Sequence, residues 1–168
     1  PGAWGGTQAL PGVSCGPGPV APRLTTQRFH TEAEIIRLGE GLVHKTLPKP
    51  EWTHAAHIAA AVYLVCRHPV GTPEREMPDL IRAYNRATGV ENSDTGGYHE
   101  TITQASLRAV RGVLATLPET TPQHMLANAV LDAGYADKAW LLRHWHQDTL
   151  FSVAARRGWV EPDKARLP

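Results

Sequence analysis

Between Pro50 and Cys66 the chain reads PEWTHAAHIAAAVYLVC, and after its first turn this stretch has no charged residue and no face free of apolar side chains. A helix that is apolar all round is covered by neighbours on every side, so the rest of the chain has to be arranged around it. The stretch also carries two imidazoles. At about 100° per residue, His54, His57, Ala61, Leu64 and His68 fall in one sector. Two or three histidines therefore line one side of a helix at the middle of the molecule.

The flanking sequence supplies helices to cover it. Thr31 with Glu34 three residues later is a capping box, and Ile35, Ile36, Leu38, Leu42 and Val43 give the apolar stripe of a first helix ending near His44. Pro50 suits the first position of the central helix, which spans about 50–67 and stops at His68-Pro69-Val70-Gly71. Thr72-Pro73-Glu74 has the cap, proline and acidic first turn of a third helix that runs to Gly89. A fourth is expected from about Tyr98 to Leu117, a fifth from Thr121-Pro122 to Gly134, a sixth from Asp137 through Trp145, and a short last one from Ser152 to Arg157. No segment alternates with period two between turn signals, so no sheet is expected. The fold class is all-α: an irregular bundle of six or seven helices around the buried one.

Residues 25–168 read as a single helical domain, and a chain of 168 residues is long enough to remove roughly 70% of its unfolded surface from water. Residues 1–24 hold six Gly and five Pro, which forbids a long helix or central strand, and they read as a disordered tract. Lys and Arg number 17 against 16 Asp and Glu, with Arg156-Arg157 the only adjacent basic pair. Neither nucleic acid nor a membrane surface is expected as a partner, and the apolar run is too short to span a bilayer. Two cysteines make no disulfide framework. Cys66, in the apolar helix, reads as a buried free thiol, and a reducing, cytoplasmic setting follows.

The fourth helix repeats the central helix's pattern. With His99 at zero on the wheel, Ile102, Ser106, Val110, Val113 and Leu117 lie within about 60° of it, while Arg108 and Arg111 lie opposite. His99 thus faces the core, and His144 lies between Trp140 and Leu141 on the sixth helix. Neutral imidazole is a common ligand for zinc, iron, copper and nickel, and an i, i+3 pair leaves one helix face within a turn. His54, His57 and His99 are therefore the expected ligands of one divalent ion, with Glu100, Glu51 or His144 as a fourth ligand or as an orienting partner. H-x-x-H arises easily in a chain with nine histidines. The competing readings are a metal-free polar pocket and buried histidines bonded to carbonyls or carboxylates. Glu51-Trp52-Thr53-His54 has the E-x-x-H spacing of di-iron bundles, but those need two such motifs and only one is found.

The polar loop Asn92-Ser93-Asp94-Thr95-Gly96-Gly97 is open to two readings: an anion cradle at a helix start, or a cap for the fourth helix by Asp94, Thr95 or Gly97. Tyr98 would offer a phenolic donor. Tyr84, Asn85 and Arg82 on the preceding helix would line the same mouth.

Trp52 to His57 (W-T-H-x-x-H), Arg82 to Asn85 (R-x-Y-N), Asn92 to Thr101 (N-x-D-T-G-G-Y-H-E-T) and Ala155 to Asp163 (A-R-x-G-W-V-E-P-D) together resemble an uncharacterised family of small bacterial all-α proteins. The likeness spans roughly 31–168. It implies a shared pocket on His54, His57, His99 and Glu100 but no activity, and in that family the position of His144 is more often an aromatic. The resulting expectation is a small metal-dependent enzyme or metal-binding protein acting on a small polar molecule. Glu100 and Tyr98 would be its catalytic groups, and Asp94, Thr95, Asn85 and Tyr84 its substrate contacts. The alternative is a non-catalytic helical module that binds a ligand or a protein without metal.

Overall fold

The computed structural model describes residues 27–167; the tract 1–24 read as disordered lies outside the described residues. Among the described residues seven α-helices follow one another: α1 (Glu32–Val43), α2 (His54–Arg67), α3 (Thr72–Ala87), α4 (Glu100–Leu114), α5 (Gln123–Val130), α6 (Gln147–Leu150) and α7 (Val153–Arg157). Tight 3-10 turns at Lys49–Glu51 and Lys138–Arg143 and a π turn at Leu131–Tyr135 connect them, and no strand forms among the described residues. The all-α class is as expected. No helix among the described residues is long and apolar enough to cross a membrane.

α2 is the element the others surround. Ala56 and every residue from 58 to 64 are buried, and the helix touches α1, α3, α4 and α5. α1 lies closest, because Gly39 leaves room for Tyr63: a Cβ at residue 39 would sit 2.2 Å from the ring's Cγ. The helix begins later than its proline suggested. Pro50 belongs to the separate 3-10 turn, and Thr53 caps α2 by accepting from Ala56 N–H at 3.2 Å. Between turn and helix, Trp52 leaves helical geometry and lays its ring against His57 and Tyr84. A second correction concerns Cys66, which is exposed rather than buried, because the covered stretch of α2 ends at Leu64.

α3 carries Pro78 in its interior, where the ring removes an N–H and leaves the carbonyl four residues earlier without its helical donor. That carbonyl belongs to Glu74. Gln104 of α4 donates to it at 2.9 Å, and Arg111 of α4 pairs with the Glu74 carboxylate, so the defect in one helix is closed by the next.

α4 is buried on two sides. Leu107 and Val110 join the main core, while Ala105 and Ala109 meet a second cluster of Trp140, Leu141, Trp145 and Leu150. The C-terminal segment closes over this cluster. Thr101 donates to Gly158 O at 2.8 Å and accepts from Val160 N–H at 3.1 Å, and Trp145 donates to Val160 O at 3.1 Å.

Candidate functional site

His54, His57 and His99 do share one wall. They line a cavity of about 240 Å³ between α2, α3 and α4. Its apolar lining comes from Ile58, Ala61, Met77, Ile81, Ile102 and Leu107, and its polar atoms from Tyr98, Thr103, Ser106 and Lys138 besides the histidines. No Asp or Glu is among the lining residues. The sector proposed for α2, with His54, His57 and Ala61, and the one for α4, with His99, Ile102 and Ser106, are the two faces that meet there.

Each imidazole is held differently. His54 Nε2 lies 2.8 Å from Tyr135 O, a carbonyl that can only accept, so the ring carries its proton on Nε2 and keeps a lone pair on Nδ1. Tyr135 ends the π turn, where carbonyls lack helical donors. His99 works the same way at a second helix end, with Nε2 2.9 Å from Leu150 O at the close of α6. Its Nδ1 accepts from Ile102 N–H at 3.4 Å, which makes His99 the N-cap of α4. That corrects the expectation that Asp94, Thr95 or Gly97 caps this helix. His57 packs edge-on against Trp52, with ring centroids 3.9 Å apart. Among the described residues its ring makes no hydrogen bond of normal geometry, and it faces the cavity.

Burial pushes all three pKa values down, and positive neighbours push the same way. His57 falls to about 3, through burial first and then the adjacent His54 and Lys138, against the backbone of Thr53, which raises it. His54 is lowered by burial and by Lys138, against the Tyr135 carbonyl and Asp137, which raise it. His99 is lowered by burial and then by Arg156. At neutral pH the cavity wall thus presents three uncharged imidazoles.

Among the described residues no three His, Cys, Asp or Glu side chains form a group that could hold a metal ion. For His99 the obstacle is chemical: a neutral imidazole has one lone pair, and His99 gives it to Ile102 N–H. Glu51 is turned away to Arg37 at 2.7 Å. His144 lies outside the cavity, bonded to the Ala165 and Arg166 carbonyls at 3.1 and 3.0 Å.

The other expected site residues are taken up by the scaffold. Glu100 accepts from Tyr98 Oη at 2.7 Å and from Gln104 Nε2 at 2.9 Å, with Arg82 at 3.6 Å. Tyr98 lines the cavity, but its hydroxyl is committed to Glu100, and burial together with that carboxylate pushes its pKa well up. It holds its proton. Asp94 makes a two-pronged pair with Arg157 at 2.8 and 2.7 Å. Thr95 sits in a turn closed by Ser93 Oγ, which accepts from Thr95 N–H and Gly96 N–H. Asn85 donates to Asn92 Oδ1 at 2.8 Å, and Asn92 in turn accepts from Tyr98 N–H. Tyr84 is fully buried, donating to Leu47 O at 3.0 Å. The polar loop is thus internally bonded rather than open as an anion cradle.

Lys138, Met77 and Thr103 are among the lining residues that the helical wheels do not single out. Thr103 had a signal, being four residues from His99 on the same helix face. Lys138 had none, since only the turn after Gly134 (φ +97°) brings it to the mouth.

Comparison with known proteins finds no matching family model, no similar curated protein and no similar solved structure.

Proposed function

We propose that the protein is a metal-free, non-catalytic binding module that holds a small, largely apolar molecule in the cavity between α2, α3 and α4. The observation that carries this reading is the lining: hydrocarbon walls, uncharged imidazoles and no carboxylate. A general base works best with a pKa near the operating pH, and His57, at about 3, is far too weak a base. As a neutral ring it is a hydrogen-bonding group for a ligand. The volume, about 240 Å³, lies below the roughly 300 to 1,000 Å³ of drug-sized sites, so the occupant is small.

The test is an NMR titration with 1-hexanol. Saturable shifts at Ile58, Ile102 and Ser106, abolished when Ser106→Leu fills the cavity, support the reading. Shifts spread over the surface, or unchanged in the filled variant, overturn it.

A second reading keeps one divalent ion, zinc, iron, copper or nickel, on His54 and His57 with the remaining positions open. What favours it is the bond from His54 Nε2 to Tyr135 O, since metal-binding histidines use such a partner to present the other nitrogen. Elemental analysis of untagged protein prepared without chelator decides it. Less than stoichiometric metal, unrestored by added Zn²⁺, Fe²⁺, Cu²⁺ or Ni²⁺, removes this reading.

A further inference from the structure

We propose that the occupant of this cavity is a small monocarboxylate, its anionic head at the mouth beside Lys138 and His57 and its hydrocarbon part against Ile58, Met77 and Ile102. The proposal rests on the binding-module reading and names the chemistry of its ligand.

Charge comes first. Lys138 is the one lining side chain that is charged at neutral pH. Among the described residues it has no ion-pair partner. The acidic groups that act on the cavity histidines, Glu100 on His99 and Asp137 on His54, are bonded elsewhere: Glu100 to Tyr98 and Gln104, and Asp137 to Ala139 N–H at 2.9 Å. A cavity whose charge comes from one unpaired lysine favours a negative charge.

Backbone charge adds to it. His54 is the first residue of α2 and His99 the N-cap of α4, and both line the cavity, so two long helices bring their positive ends to the same opening. Burial is the main cause of the lowered histidine pKa values, with Lys138 a smaller one at His54 and His57 and Arg156 at His99, while Asp137 and Glu100 act in the opposite direction.

Hydrogen bonding is the third element. A neutral imidazole offers one N–H donor; the only backbone group beside the His57 ring among the described residues is that of Thr53, which raises the ring's pKa but makes no hydrogen bond of normal geometry with it. A carboxylate oxygen would accept from it while the second oxygen met Lys138. One lysine matches one negative charge, and the apolar walls match a short hydrocarbon rather than a sugar or a nucleotide.

Hexanoate, 1-hexanol and hexylammonium share a chain and differ in head group, so the three are titrated into the full-length protein at pH 7.5 and constant ionic strength. Hexanoate should bind at least tenfold more tightly than 1-hexanol, and hexylammonium more weakly than either. Lys138→Met, at an exposed position, should bring hexanoate to the level of 1-hexanol, both titrated into the variant. Equal binding of alcohol and carboxylate, or a hexanoate affinity indifferent to Lys138→Met, overturns the proposal while the binding module stands. Failure of all three to bind overturns both.

Discussion

Replacing His99 with Ala removes two interactions at once, and their sizes can be set from the geometry. The bond from Nε2 to Leu150 O, 2.9 Å and buried, ties the start of α4 to the end of α6. Without it a buried carbonyl is left unpaired, at a cost of about 1 to 3 kcal/mol. The cap on Ile102 N–H is long at 3.4 Å, so its loss belongs at the low end of the usual range, about 0.5 kcal/mol. Lost contact of the ring with Phe151, at a centroid distance of 6.5 Å, adds little. The total is about 1.5 to 3.5 kcal/mol, and at roughly 3 to 4 °C per kcal/mol for a domain of this size the melting temperature should fall by roughly 5 to 14 °C. Urea unfolding with parallel thermal melts measures this. His99→Asn separates the parts, because Asn caps as well as any residue but is too short for Leu150; it should recover only the capping fraction. A variant within about 0.5 kcal/mol of the parent, or a parent that loses as much stability on treatment with chelator as it does on mutation, would refute this account of His99.

Stability should decline as pH falls below the unfolded histidine value of about 6.5. The folded pKa values of His54, His57 and His99 are lowered, so the unfolded chain takes up protons first. Each contributes up to about 1.4 kcal/mol per pH unit until its own folded value is reached. Urea midpoints at pH 7, 6 and 5 check this, and a flat profile contradicts it. Gln104→Ala should cost about 1 to 3 kcal/mol by orphaning the Glu74 carbonyl. The penalty should shrink in a Pro78→Ala background, where residue 78 regains its N–H; a double-mutant cycle gives the coupling. Gly39→Ala should destabilise by about 1 to 3 kcal/mol despite the better helix propensity of Ala, because the new Cβ meets the Tyr63 ring; a neutral or stabilising result in a thermal melt would show that α1 and α2 can move apart.

Periodicity made α2 legible as the buried centre, and the same wheel placed His54, His57, His99 and Ser106 on the faces that meet. What it could not show was how those side chains are occupied. An inward histidine looks alike on a helical wheel whether it meets a metal, a ligand or an unpaired carbonyl. The carbonyls of Tyr135 and Leu150 that hold His54 and His99 come from 81 and 51 residues away in the chain. The motif blocks show the same limit. Arg82 stacks on the Tyr98 ring at 4.1 Å, Asn85 holds Asn92, Asp94 pairs with Arg157, and Thr101 fastens Gly158 and Val160. Residues that read one by one as substrate contacts become the joints between α3, the polar loop, α4 and the C-terminal segment. Cys66 is exposed although it lies in the apolar run, because such a run does not mark where its covering neighbours stop.

Long-range ¹H–¹⁵N correlation spectra of the imidazole rings test the central claim most directly: a metal-free cavity walled by neutral histidines, with His57 open to a ligand. At pH 7 the account predicts that His54 and His99 are neutral with the proton on Nε2. Adding 1-hexanol should move the His57 ring signals while those of His99 stay in place. Protonated rings, ring nitrogens displaced by a metal that chelator removes, or a His57 that does not respond to a saturating probe would contradict it.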